Sequence, residues 1–172
     1  MVKARGYLCD DFESYPVRYV VGQNLFILLY FGVGLTGTLP LKVLGFPVVT
    51  IGYVLFLFIM LIFVLRKHLC TNCYYYGKLC GTGWSKLASI LFERGSGNYE
   101  LGVKLASITW MLATLIPIIG GSLALFLSFS TYQLTLLLTF VLLTPVNFTM
   151  HKKMCEKCKM RLSCQVSMAK GD

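Results

Sequence analysis

Four long apolar stretches divide the chain, and almost every charged residue falls outside them. They run from about Tyr19 to Leu39, Gly45 to Leu65, Leu105 to Ser128 and Thr131 to Met150, and none contains Asp, Glu, Lys, Arg or His. Each is close to the roughly 20 residues that cross a hydrocarbon core of about 30 Å. In lipid such a stretch must satisfy its own backbone donors and acceptors, so each is predicted to be a transmembrane α-helix. Pro40 to Leu44 joins the first pair, and Phe129 and Ser130 join the second. Connections this short predict two antiparallel helical hairpins. The expected organisation is an N-terminal segment 1–18, a hairpin 19–65, a loop 66–104, a second hairpin 105–150 and a tail 151–172. The first stretch does not read as a cleavable leader: it is long, follows the acidic Asp10, Asp11 and Glu13, and lacks a small-residue cleavage site.

Composition supports the same class. The 172 residues are 56% hydrophobic and only 13% charged, whereas a soluble domain carries about 25% charged residues. Too little polar chain remains outside the apolar stretches for a large extramembrane enzyme domain. The formal charge of +9 is distributed asymmetrically. Every Lys and Arg except Lys42 lies on one side of the predicted membrane, in the N-terminal segment, the central loop or the tail. The positive-inside rule therefore places both termini and the 66–104 loop in the cytoplasm of an integral cell-membrane protein.

The informative chemistry is in the cysteines. Six of the seven form two clusters, RKHLCTNCYYYGKLC with Cys70, Cys73 and Cys80, and HKKMCEKCKMRLSC with Cys155, Cys158 and Cys164. Superposed, Phe63, Lys67, Leu69, Cys70 and Cys73 fall on Phe148, Lys152, Met154, Cys155 and Cys158. Each cluster directly follows the second helix of a hairpin. The pattern predicts a duplicated unit of hairpin, basic collar and cysteine cluster, the two copies being parallel repeats about an axis along the membrane normal. The expected fold is thus an all-α integral membrane protein: four transmembrane helices in two parallel-repeated hairpins, with a small cysteine-rich cytoplasmic cap.

A C-x-x-C pair brings two sulfurs to one ion, and two pairs supply the four thiolates of a structural zinc site. Cys70, Cys73, Cys155 and Cys158 are the predicted ligands, sharing one zinc between the halves. Cys80, Cys164, His68 and His151 are further candidates. The same thiolates suit an iron–sulfur cluster, although neither spacing matches a common ferredoxin run. Juxtamembrane cysteines also accept lipids, and Cys9, standing alone, fits a packing or lipidation role.

Two functions follow. In the first, the cysteine-ligated metal serves assembly or the docking of a membrane or cytoplasmic protein partner, or of a second copy. In the second, the chain is a membrane oxidoreductase using an iron–sulfur cluster or C-x-x-C thiols, with a lipid quinone as a further participant. The sequence leaves open whether it is an enzyme. No acidic, basic or imidazole group lies within a span to serve ion-coupled transport, and neither G-x-x-x-x-G-K nor H-E-x-x-H occurs. The basic tail is explained by topology and anionic lipid, so no nucleic-acid partner is expected.

Three smaller expectations complete the reading. Trp84 to Phe92 should form a short amphipathic helix in the interface, with Trp84, Leu87, Ile90 and Leu91 on its apolar side. Tyr74, Tyr75 and Tyr76 should form an aromatic belt. Gly32, Gly34, Gly37, Gly120 and Gly121 should permit close helix approach, while Gln23, Asn24, Gln133 and Asn147 should hydrogen-bond between helices or with head groups.

Overall fold

The computed structural model describes residues 12–162 and 164–169. Cys9, Lys3, Arg5, Asp10, Asp11 and Lys170, which entered the reading above, lie outside the described residues. The described chain is all-helical, its only β feature an isolated bridge between Val43 and Phe46 in the first hairpin loop.

Four helices are long and apolar enough to cross a membrane: Val17–Thr38, Val48–Asn72, Tyr99–Leu127 and Thr131–Glu156. The first is α1. The second is composite: α2 (Val48–Phe58), a π-helical stretch (Ile59–Val64), α3 (Leu65–His68) and a 3₁₀ turn (Cys70–Asn72). Then follow α4 (Trp84–Leu91), α5 (Tyr99–Leu127) and α6 (Thr131–Glu156). Outward faces carry exposed apolar side chains such as Leu28, Phe126 and Leu142, as lipid contact requires.

Three helices outrun their apolar stretches at the cysteine-bearing end. The second continues past Leu65 to Asn72, and the fourth past Met150 to Glu156. The third begins at Tyr99 instead of Leu105 because Asn98 caps it, accepting the Leu101 N–H at 3.1 Å.

The bundle centre holds Tyr30, Phe31, Tyr53, Leu57, Leu61, Leu65, Ala113 and Phe140. Tyr53, Leu57, Leu61 and Leu65 recur every four residues, a spacing that drifts about 40° per step around a straight α-helix. The wider π-helical turns absorb that drift and keep the row facing inward. Polar groups in the bundle are tied across helices. Tyr53 donates to the Ala113 carbonyl at 2.6 Å, and the Gln133 amide donates to the Gly37 carbonyl.

α1 packs on α2, α5 and α6, and α5 packs on α2 and α6, so α1 and α5 form the central pair. Close approach depends on fewer glycines than expected. A Cβ on Gly34 would meet Phe140 at 2.9 Å, and one on Gly120 would meet Thr38 at 3.0 Å. Gly32 has nothing within 4 Å and takes no part.

Candidate functional site

All the segments that end or begin at one end of the bundle knit together there. The chain before α1 is fastened by Tyr15, whose N–H donates to the Leu79 carbonyl at 2.9 Å and whose hydroxyl donates to the Met154 carbonyl at 2.7 Å. Tyr75 is 1% exposed and donates to the Phe12 carbonyl at 2.6 Å. The aromatic-belt expectation therefore fails for Tyr75, which is instead a core residue of this end. Gly97 sits so close to the Lys67 and His68 backbone that no larger residue fits. This pins the start of α5 against the end of the second span.

α4 forms as expected over Trp84–Leu91, but with a different inward face. Ser85 and Ala88 are buried, while Ile90 is 75% exposed and Leu91 points outward beside it. Trp84 packs inward, its indole N–H donating to Asn24 Oδ1 at 3.1 Å. Asn24 in turn donates to the Thr82 carbonyl at 2.9 Å, so α1 and α4 are joined by one polar relay.

Inside this knot lies a cavity of about 220 Å³. Its walls include Cys70, Cys73, Cys80, Cys155, Cys158 and Cys164, together with His151. Both sequence clusters thus converge on one space, and all six of their thiols are free. The first cluster enters on the 3₁₀ turn and the loop after it; the second enters on the last turn of α6 and the turns that follow. His68 does not line the cavity. Its Nδ1 accepts the Asn98 N–H at 3.0 Å, at the junction between the second and third spans.

Each thiol has an identifiable environment. Arg66 Nη1 donates to Cys70 Sγ at 3.2 Å. Cys73 Sγ lies 3.7 Å from the Met160 sulfur, and Cys155 Sγ lies 3.6 Å from His151 Nε2. Cys80 Sγ accepts the Ser85 N–H at 3.4 Å and stands 3.5 Å from the Thr82 hydroxyl. Burial pushes the Cys73 thiol up to about 12, and neighbouring sulfurs, including those of Cys70 and Cys158, push the same way. Burial likewise raises Cys158 to about 11, with Cys155 and Cys164 adding to it. Cys80 is the exception: burial alone would raise it, but hydrogen bonds from Ser85 and Thr82 outweigh burial and leave it below its ordinary value.

Among the described residues, no three His, Cys, Asp or Glu side chains stand close enough together to hold one ion. The predicted tetrahedron of Cys70, Cys73, Cys155 and Cys158 is therefore not preset. Its sulfurs are distributed around a common wall, whereas a zinc ion requires each at about 2.3 Å. The donor set nonetheless suits a metal group, because buried thiols gain most from a cation that offsets the cost of ionising them.

No family model, curated protein or solved structure matches this chain. The site must be read from its own chemistry.

Arg66 is the residue that the sequence pattern conceals. Taken as one of the basic residues marking the cytoplasmic boundary, it is in fact 5% exposed. Its guanidinium stacks on Trp84, 3.5 Å from the ring centroid, and its Nε donates to the Leu61 carbonyl at 2.6 Å. The Leu61 carbonyl lies in the π-helical stretch five residues earlier; a straight α-helix would give it the Leu65 N–H, which here bonds to the Met60 carbonyl instead.

Proposed function

We propose that the chain is a membrane protein that carries a thiolate-ligated metal centre at the cytoplasmic end of its four-helix bundle. The observation that supports this reading is the convergence of six thiols and His151 on one cavity. Structural packing does not call for such a concentration, since buried free cysteines normally act as scattered small apolar side chains. Charge asymmetry supports the cytoplasmic side, where thiols stay reduced and available.

The cavity size favours an iron–sulfur cluster over a single zinc. One water needs roughly 10–15 Å³ of such space, and a single ion held directly by four sulfurs leaves hardly more. A cavity of about 220 Å³ accommodates a polynuclear group whose cysteine ligands stand further apart. Of the six thiols, Cys70, Cys73, Cys155 and Cys158 remain the proposed ligands, with Cys80, Cys164 and His151 as exchange partners or outer hydrogen-bonding groups. Zinc is favoured by one observation, the approach of His151 Nε2 to Cys155 Sγ, since mixed histidine–cysteine ligation is typical of that ion.

The parallel-repeat architecture belongs to the same proposal. Among α1, α2, α5 and α6 alone, exchanging α1 with α5 and α2 with α6 pairs each packed couple with another packed couple, which is compatible with a two-fold relation between hairpins, although α1 packs on α6 far more extensively than α5 does on α2. A centre at the axis would join the two halves, and metal binding would then contribute to folding. Anaerobic purification followed by metal analysis and visible spectroscopy tests the reading. A brown protein with iron and acid-labile sulfide supports the cluster, and a colourless one with stoichiometric zinc supports zinc. A colourless protein that retains neither metal after anaerobic reconstitution with each overturns the metal centre.

A further inference from the structure

A second cavity of about 300 Å³ adjoins the thiol cavity, sharing Gln23, Leu69, Thr82, His151 and Val166 as common wall. Its surroundings are largely apolar, and both tryptophans of the chain, Trp84 and Trp110, line it. Two side chains there are unusual. Gln23 is 4% exposed and Arg66 is 5% exposed. Gln23 Oε1 and Arg66 Nη2 are the buried side-chain polar atoms that find no hydrogen-bond partner among the described residues. Both residues line this cavity.

An unsatisfied buried donor or acceptor costs about 1–3 kcal/mol, more when charged, so the pair calls for a ligand that supplies what is missing. Arg66 has committed Nε to the Leu61 carbonyl and Nη1 to Cys70, which leaves Nη2 to be paired. The ligand must be mostly apolar, present an acceptor to Arg66 and offer a donor to the Gln23 oxygen. A fatty acid answers only the first polar requirement and sets its carboxylate against the Gln23 oxygen. Water fills a polar pocket, but the indoles and aliphatic walls favour a flat apolar ring.

We infer that this cavity binds the head ring of a lipid-soluble quinol, the reduced form of a quinone. One quinol hydroxyl oxygen accepts from Arg66 and the other hydroxyl donates to Gln23, whereas the oxidised ring would set a carbonyl against the Gln23 oxygen. This deepens the proposed function by naming the class of molecule that meets the thiol-lined centre across the shared wall. The inference rests on that reading for its redox meaning, but not for the binding itself.

Because both tryptophans line the cavity, fluorescence reports its occupancy. A short-tailed benzoquinol, decylbenzoquinol held reduced in the absence of oxygen, is titrated into the full chain in detergent, with metal content measured on the same preparation. The expected result is saturable quenching that palmitate does not displace. Gln23→Leu and Arg66→Lys should each raise the half-saturation concentration about tenfold, the effect of losing one hydrogen bond of about 1.4 kcal/mol. Quenching that rises linearly with quinol, an unchanged midpoint in Gln23→Leu that retains its helical circular dichroism, or displacement by palmitate overturns the inference. If either variant fails to fold, saturation and palmitate competition on the wild-type chain decide. Metal without saturable quinol binding sinks this inference alone, while saturable binding without metal sinks the metal centre alone.

Discussion

Arg66 Nη1 stands 3.2 Å from Cys70 Sγ, one helical turn further along the second span. The same guanidinium lies flat on Trp84 at 3.5 Å. A buried cation retained among apolar side chains needs an anionic neighbour, and in the proposed metal centre an ionised Cys70 would supply one. In that proposal Arg66 is the counter-charge of the thiol cavity.

Replacing Arg66 with Met should therefore destabilise the bundle by about 2–4 kcal/mol, since it removes the buried donors to the Leu61 carbonyl and Cys70 and the packing on Trp84. Arg66→Lys should recover less than half of that loss, because an ammonium lacks the planar fork that serves Leu61 and Cys70 together. Thermal unfolding in detergent, followed by circular dichroism, checks both. An Arg66→Met protein as stable as wild type would show that the guanidinium is dispensable.

In the metal-free protein the thiols should differ in reactivity. Cys80 lies below its ordinary value, whereas Cys73 and Cys158 are pushed up to about 12 and about 11, chiefly by burial. The thiolate is the nucleophile, so at pH 8 Cys80 should be alkylated first and Cys73 and Cys158 last. Mass spectrometry of a timed iodoacetamide reaction reads the order directly. If the proposed centre forms, loading it with metal should protect Cys73 and Cys158 further, and their faster alkylation on loading would contradict that proposal.

The same shifts fix a sign for stability. A thiol whose value is raised on folding stabilises the fold fully below its ordinary value of 9.0, and that contribution disappears as pH climbs through the folded value. The metal-free protein should thus lose stability between pH 9 and about 12. Cys73→Ala should show a shallower decline over that window than the wild-type chain. Melting temperatures measured across it decide, and a Cys73→Ala slope as steep as wild type would assign the loss to other groups.

What the apolar pattern conveys, and what it hides, is visible at particular residues. Four spans and two tight hairpins follow from the runs themselves, because lipid leaves an apolar stretch no alternative to a helix. Their ends are less evident: the second span continues through Arg66, Lys67 and His68, residues whose charge suggests a boundary. Asn98, a cap residue ahead of Glu100, marks the true start of α5 in the sequence. Convergence of the two cysteine clusters follows from their repetition, but the exclusion of His68 depends on which way one ring turns. The burial of Arg66, Gln23 and Tyr75 is not legible in the pattern, since it is decided by neighbours distant in sequence. Tyr75 meets Phe12, Gln23 shares its cavity with His151, and Arg66 meets Trp84.

Close packing at the centre should be selective among glycines. Gly34→Ala would press a methyl against Phe140 at 2.9 Å and Pro117 at 3.1 Å, within a region where α1, α5 and α6 meet. Overpacking of this kind costs about 1–3 kcal/mol. Gly32→Ala meets nothing within 4 Å and should be neutral or mildly stabilising, since alanine is the better helix former. Comparing the two variants by thermal unfolding controls for helix propensity. Equal effects would argue against the close approach at Gly34.

The strongest demand on the proposed centre concerns its unity. Cys70 lies at the end of the second span and Cys155 near the end of the fourth, yet both line one cavity. If one metal group takes ligands from both, Cys70→Ser and Cys155→Ser should each abolish the whole of it, because losing either side opens the shared coordination shell. Stability should fall similarly in the two variants, and the double variant should cost little more than either, since the second substitution removes nothing that remains. Serine keeps the size of the side chain near that of cysteine, so simple packing loss should be small by comparison. Two separate centres would behave differently: each single variant would retain half of the metal, and the stability losses would add. Metal stoichiometry measured beside unfolding of the three variants separates these cases. Half-occupancy in both singles would dissolve the idea of a centre that joins the halves.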